Sequence, residues 1–136
     1  MNGRIILFTA GLLLSVLLPC LVAADAGNGT SLEGNYVVEG WNTIPPDGPP
    51  DYAGTGRIWS IGATYLFEAD IDGQRYTGVG LLDPDKGVLA LQFNGTDGNG
   101  LTVLKINIDN LAGSWVFSES PKELGWEVWT PTFGAP

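Results

Sequence analysis

Histidine is absent from the 136 residues, and cysteine occurs once, at Cys20. Without histidine the chain lacks Ser-His and Cys-His nucleophile pairs, imidazole ligands for zinc or haem, and the usual general base near neutral pH. A single cysteine also leaves no disulfide within the chain. We therefore expect a fold that rests on packing and strand pairing, with no catalytic residues, no metal site and no cofactor.

Basic residues are scarce as well, since 6 Lys and Arg stand against 15 Asp and Glu, a formal net charge of −9. Such a chain repels nucleic-acid phosphates and anionic lipid surfaces. A membrane-spanning barrel needs an unbroken apolar outer band, and the expected outer face carries Glu68, Asp70 and Arg75. We expect no nucleic-acid partner and no membrane insertion of the mature domain. The partner is then a small molecule, a glycan or an extracellular protein.

The only long hydrophobic run lies near the start of the chain. Residues 1–4 are short and basic, residues 5–18 are apolar, and residues 21–24 end in small side chains. This layout predicts a secretory signal peptide cleaved after Ala24, or alternatively after Ala26, and a secreted or periplasmic protein.

An uncleaved anchor and a lipoprotein signal at Cys20 are the competing interpretations of this run, and Pro19 directly before the cysteine fits lipidation poorly. The predicted organisation is a signal peptide at 1–24, a flexible segment at 25–32, a single β-barrel domain at 33–131 and a tail at 132–136.

Helical apolar spacing is missing throughout, whereas period-two alternation is common. It predicts eight strands at residues 34–41, 52–61, 63–71, 74–82, 88–93, 101–108, 112–118 and 124–130. The Pro-rich residues 42–51 cannot continue a ladder, and residues 94–100 suggest a flexible hairpin loop. Short connections favour an antiparallel meander that closes into an eight-stranded barrel, with a two-sheet sandwich as the alternative.

One phrase occurs twice, as Tyr52-Ala53-Gly54-Thr55-Gly56 and as Tyr76-Thr77-Gly78-Val79-Gly80. Asp72-Gly73 just before the second copy predicts a type I′ hairpin turn. The resulting register pairs Ile71 with Gln74, Asp70 with Arg75, Ala69 with Tyr76, Glu68 with Thr77, Phe67 with Gly78 and Tyr65 with Gly80. Two aromatic residues then oppose two glycines on a curved inner face, where the rings cover the backbone.

A second echo joins Leu32-Glu33-Gly34-Asn35-Tyr36 to Leu111-Ala112-Gly113-Ser114-Trp115, both Leu-x-Gly-x-aromatic. It resembles the strand starts of avidin-like and lipocalin-like meander barrels, in which the aromatic side chain plugs the barrel end. The resemblance implies a barrel shape and does not imply their ligands.

Most of the predicted domain is similar to certain small exported bacterial β-proteins of ill-defined function. The similarity is carried by the segments 71–82 (IDGQRYTGVGLL), 88–91 (VLAL), 103–106 (VLKI), 111–115 (LAGSW) and 124–127 (LGWE). The chain departs from that pattern at Asp72, which replaces a glycine, and in the Pro-rich loop. The resemblance implies a compact exported β-domain with a loosely adhesive or binding role, and it supplies no catalytic residues.

Aromatic side chains are the best candidates for ligand binding. The candidate residues are Trp41, Trp59, Tyr65, Trp115, Trp126 and Trp129. Most of them are expected to pack in the interior, because each buries a large apolar area. Trp126 and Trp129 lie three positions apart on one strand and so face opposite sides, which places one in the core and the other at the surface or rim.

These features predict an exported, non-enzymatic β-barrel binding module of unknown ligand. One alternative is an inhibitor of a secreted protease or lysozyme, which would insert residues 25–31 or Ile44-Pro45-Pro46 into its target. The other is a carboxylate-dependent hydrolase, because Glu68 and Asp70 lie about 7 Å apart on one strand face, a spacing that inverting glycosidases use.

Overall fold

The computed structural model describes residues 31–133, so the predicted signal peptide and Cys20 lie outside the described residues. The strands are β1 (Gly34–Trp41), β2 (Tyr52–Ile61), β3 (Thr64–Ile71), β4 (Gln74–Asp83), β5 (Val88–Gly95), β6 (Gly98–Ile106), β7 (Leu111–Phe117) and β8 (Leu124–Thr132). Each strand pairs antiparallel with the next, and β8 pairs with β1. The predicted fold class, an all-β up-and-down meander closed into an eight-stranded barrel, is confirmed.

The hairpin between β3 and β4 has the predicted register at all six pairs. Asp72 and Gly73 have φ values of 50° and 78°, the two positive angles that a type I′ turn requires. The Phe67 ring covers Gly78 as expected, since a Cβ atom there would lie 2.8 Å from Phe67 Cε1. At Gly80 the covering side chain is instead Leu91, which reaches over from β5.

Alternate residues of every strand point into the barrel and form one continuous apolar core. Its buried members are Leu32, Tyr36, Val38, Ile58, Phe67, Ala69, Leu89, Leu91, Phe93, Leu104, Leu111 and Trp129. Trp129 is the largest fully buried side chain in the described part of the chain, with 2% of its surface exposed. Its ring makes edge contacts with Tyr36 and Phe67 at centroid distances of 5.8 and 6.0 Å.

One end of the barrel is closed by the residues that precede β1. Leu32 is buried, and the Tyr36 hydroxyl donates a hydrogen bond to the Leu32 carbonyl at 2.6 Å. Leu32, which the predicted organisation assigns to the segment before the barrel, therefore packs against the core. Thr132, assigned to the tail, likewise belongs to β8 and donates from Oγ1 to the Asn35 carbonyl at 3.1 Å.

The prediction of a flexible loop at residues 94–100 is wrong. β5 extends to Gly95 and β6 begins at Gly98, so only Thr96 and Asp97 form the turn. Glycine-rich segments have weak intrinsic strand preference. Here aromatic rings supply the missing packing, since a Cβ atom at Gly95 would lie 2.5 Å from the Tyr76 ring and one at Gly98 would lie 2.9 Å from the ring of Phe117.

The other end of the barrel carries the connections at 42–51, 72–73, 96–97 and 118–123, and it is called the mouth here. The Pro-rich loop at 42–51 is fixed to the barrel by hydrogen bonds at both ends. The Trp41 indole Nε1 donates to the Gly48 carbonyl at 3.1 Å, and the Asn42 amide donates to Asp51 Oδ2 at 2.8 Å. Ile44 in this loop is 44% exposed, and the bond that follows it to Pro45 is cis.

Candidate functional site

A cavity of about 300 Å³ opens at the mouth and extends into the barrel. Its rim is polar and exposed, and consists of Asn42, Asp51, Asp72, Gln74 and Asp97. Its walls and base are mainly aromatic and aliphatic, and include Tyr52, Phe67, Ala69, Ile71, Tyr76, Leu91, Phe93, Thr102, Trp115, Phe117, Glu127 and Trp129. An apolar interior with few polar groups and a polar rim is the usual construction of a small-ligand pocket.

Glu127 on β8 is the acidic residue of the cavity interior, and only 8% of its surface is exposed. Both carboxyl oxygens have a partner, because the Tyr52 hydroxyl donates to Oε1 at 3.1 Å and the Trp129 indole donates to Oε2 at 2.9 Å. Burial raises the pKa of Glu127 above its usual value of 4.5, and these two hydrogen bonds oppose that rise only in part.

Tyr52 can reach Glu127 because the residue of β1 that lies between them is a glycine. Gly40 is the direct neighbour of Tyr52 on one side and of Glu127 on the other. A Cβ atom at Gly40 would overlap the Tyr52 ring and hydroxyl, so only glycine allows the ring to lie across β1 toward the carboxyl group. The pKa of Tyr52 is raised, first by burial and then by the negative charge of Glu127, so this phenol remains a hydrogen-bond donor at neutral pH.

Tyr76 begins the second Tyr-x-Gly-x-Gly segment and stands near the rim. Its hydroxyl donates to Asp97 Oδ2 at 2.5 Å, and its ring packs edge-on against Phe93 at 5.8 Å. Burial, followed by the hydrogen bond and charge of Asp97, raises the pKa of Tyr76. Both copies of the repeated phrase therefore place a neutral phenol in the cavity wall within the first three residues of a strand.

Trp115 on β7 forms another part of the wall and lies over Gly125, its direct partner on β8. Its ring is 6.4 Å from that of Tyr52 and 5.5 Å from that of Phe117. The indole Nε1 is buried and makes no hydrogen bond of normal geometry within residues 31–133, although it approaches the Tyr52 hydroxyl closely enough to lower the pKa of that group.

The six aromatic residues predicted to bind ligand occupy three different regions. Trp115 and Trp129 line the cavity, whereas Tyr65 points into the core near the closed end. Trp41, Trp59 and Trp126 lie on the outer wall, where Trp41 and Trp126 are cross-strand partners and Trp59 stacks on Arg57 at 5.4 Å. As expected, Trp126 and Trp129 face opposite sides, and Trp129 is the core residue.

Glu127, Tyr52 and Tyr76 were missed as site residues when only the sequence was considered. Glu127 lies two residues from both Gly125 and Trp129, so the three residues share one face of β8. Once Trp129 is known to be buried, Glu127 is expected to face the interior as well. The sequence marks the two tyrosines as the first residues of the repeated phrase, but the glycines of that phrase predict only a curved sheet.

The two carboxylates of the hydrolase alternative are not among the residues that line this cavity. Glu68 and Asp70 line a separate concavity of about 450 Å³ on the outer wall, together with Arg57 and Arg75. Arg75 is the cross-strand partner of Asp70, as predicted, but its guanidinium binds Glu68 instead, at 2.5 Å. The ion pair therefore differs from the register pair, because the Arg75 side chain reaches diagonally across the strands.

Within residues 31–133, no three side chains of the types that bind metals are grouped so that they could hold an ion. No helix in this described part of the chain is long and apolar enough to cross a membrane.

Comparison with known proteins gives no assignment for this barrel. No protein-family model matches the chain, and no curated protein matches its sequence. The function is therefore inferred from the cavity alone.

The raised pKa of Glu127 has a measurable effect on stability. Above pH 4.5, the usual pKa of a glutamate, the unfolded chain loses this proton while the native state retains it, so a rise in pH favours unfolding until the folded-state pKa is passed. We expect the free energy of unfolding to fall by up to about 1.4 kcal/mol per pH unit in this window. Denaturant unfolding at a series of pH values measures the slope.

Glu127→Gln is the matched variant, because its amide can donate to Tyr52 and accept from Trp129 as a protonated acid would. We expect the variant to lose this component of the slope, whereas Glu68→Gln on the outer wall keeps it. Equal slopes for the wild-type protein and Glu127→Gln would show that Glu127 titrates normally in the folded state.

Proposed function

We propose that this protein is a non-enzymatic binding module that takes a small molecule into the cavity at the mouth of its barrel. The observation that carries the proposal is the cavity itself, a chamber of about 300 Å³ with aromatic walls and one buried carboxyl group. Eight-stranded barrels are wide enough for one small ligand, and this volume is at the lower end of ligand pockets in general. Export through the predicted signal peptide belongs to the same proposal.

The absence of histidine from the sequence supports a binding role over catalysis. Both oxygens of Glu127 are held by donors that fix its position, and the tyrosine among these donors has a raised pKa that opposes its use as a base. This arrangement suits recognition of a ligand more than proton transfer to or from one.

The test is a thermal-shift and tryptophan-fluorescence screen of the purified protein against small aromatic and aliphatic molecules, glycans and matrix proteins. A ligand at a hundredfold excess over its Kd stabilises the native state by about 2.7 kcal/mol, which raises Tm by several degrees in a domain of this size. We expect a small molecule to give this shift and to change the tryptophan emission.

Two variants locate the binding. Trp115→Phe removes the indole in the cavity wall and should abolish most of the emission change, whereas Trp59→Phe on the outer wall should preserve it. An emission change that disappears only in Trp59→Phe would move the site to the outer wall and favour a glycan or a surface protein. Inhibition of a secreted protease or lysozyme, lost when Ile44-Pro45-Pro46 is deleted, would favour the inhibitor alternative.

A further inference from the structure

All the charged side chains that line the cavity are acidic. Four carboxyl groups line it, from Asp51, Asp72 and Asp97 at the rim and Glu127 inside, and no lysine or arginine of residues 31–133 is among the lining residues. A recess with charges of one sign and low-dielectric walls concentrates the field at its opening, so these groups attract cations and repel anions.

The interior is also built to receive a cation once it has entered. Each oxygen of Glu127 accepts one hydrogen bond, from Tyr52 or Trp129, and a carboxylate oxygen can accept a second. The rings of Tyr52, Tyr76 and Trp115 form the walls above it. Aromatic faces attract cations, and this attraction is stronger where water is excluded.

We propose that the ligand is a small organic cation, a protonated primary or secondary amine on an aromatic body, whose ammonium group binds Glu127 while its body packs against Tyr52, Tyr76 and Trp115. This inference rests on the proposed function and specifies the chemical class that the cavity accepts.

The protonation of Glu127 gives the proposal a second, independent readout. Burial disfavours the carboxylate in the empty cavity, and an ammonium ion beside it favours the carboxylate, so binding of an amine releases a proton from Glu127. The affinity for the amine therefore rises with pH up to the pKa of Glu127 in the empty protein. The other titratable groups that line the cavity are Tyr52, Tyr76 and the three rim aspartates, and Glu127→Gln separates their contribution.

The probes are tyramine, tyrosol and 4-hydroxyphenylacetate, which share one aromatic skeleton and present a cation, a neutral hydroxyl group and an anion. Calorimetric titration of the purified protein at low salt should give tyramine an affinity at least about tenfold higher than that of tyrosol. No binding of 4-hydroxyphenylacetate is expected. Glu127→Gln should weaken tyramine at least about tenfold and leave tyrosol within about threefold, while Glu68→Gln should change neither.

The outcomes separate this inference from the proposed function. Equal affinities for tyramine and tyrosol, or an unchanged tyramine affinity in a folded Glu127→Gln, would overturn the cation assignment and leave a cavity for neutral molecules. If Glu127→Gln does not fold, the wild-type affinities for tyramine and tyrosol from about pH 5 to about pH 8 decide, because only the amine should gain affinity as pH rises. Binding of none of the three probes also overturns the assignment, and the proposed function is then judged by the wider screen.

Discussion

Trp129→Ala is expected to lower the free energy of unfolding by about 4 kcal/mol, a large share of the roughly 5–15 kcal/mol that stabilises a domain of this size. Trp129 is almost fully buried and packs edge-on against Tyr36 and Phe67. Its removal leaves a large cavity at the centre of the barrel and deprives Glu127 of the donor at 2.9 Å. Urea unfolding followed by circular dichroism measures the loss.

Trp126→Ala is the matched control, because it removes the same side chain from the same strand but from the outer wall. We expect it to cost about 1 kcal/mol, since a half-buried surface side chain leaves no internal cavity. If both substitutions cost the same amount, the assignment of the two faces of β8 is wrong. Trp129→Phe, which keeps an aromatic ring but loses the indole donor, should fall between the two.

Gly78→Ala has the second large expected effect, a destabilisation of about 3 kcal/mol. The added Cβ atom would overlap the backbone carbonyl oxygen of Gln92 on β5 and lie 2.8 Å from Phe67 Cε1. A backbone atom within a paired strand cannot move aside as the end of a flexible side chain can, so β4 and β5 must separate locally. The shift in Tm, together with the unfolding midpoint, measures the effect.

Thr77→Ala tests whether this loss is specific to the inner face. Thr77 is the adjacent residue, is exposed on the outer wall and pairs with Glu68. Its replacement should cost about 0.5 kcal/mol through weaker strand propensity alone. A cost for Gly78→Ala as small as that for Thr77→Ala would mean that the sheet is more deformable at this point than the contacts indicate.

The sequence was most informative where local chemistry allows one solution. The Asp72-Gly73 turn determines the register of its hairpin, and the register in turn determines which residues face inward. It was least informative at residues 94–100, where three glycines and two asparagines are typical of a loop. That segment is mostly strand, because the rings of Tyr76 and Phe117 come from other strands and cover its glycines, a contact that no local pattern records.

In the candidate site, too, features set by neighbouring residues could be predicted from the sequence, whereas contacts between distant strands could not. The opposite orientations of Trp126 and Trp129 followed from strand periodicity, but which of them is buried did not. The contact between Tyr52 and Glu127 joins positions 75 residues apart and depends on the missing side chain of Gly40 between them. Such an arrangement becomes visible only when the closure of the barrel brings β8 beside β1.

The pairing of β8 with β1 also determines when the barrel can form during synthesis of the chain. Asn35 of β1 and Thr132 of β8 meet across 97 positions of the chain, a separation that makes the closing contact entropically costly and slow to form. Glu127 and Trp129 are both on β8, so a growing chain obtains its buried acid and its central core residue only with its last strand. Until then seven strands leave β1 and β7 with unpaired edges, which is the state most open to association with other chains.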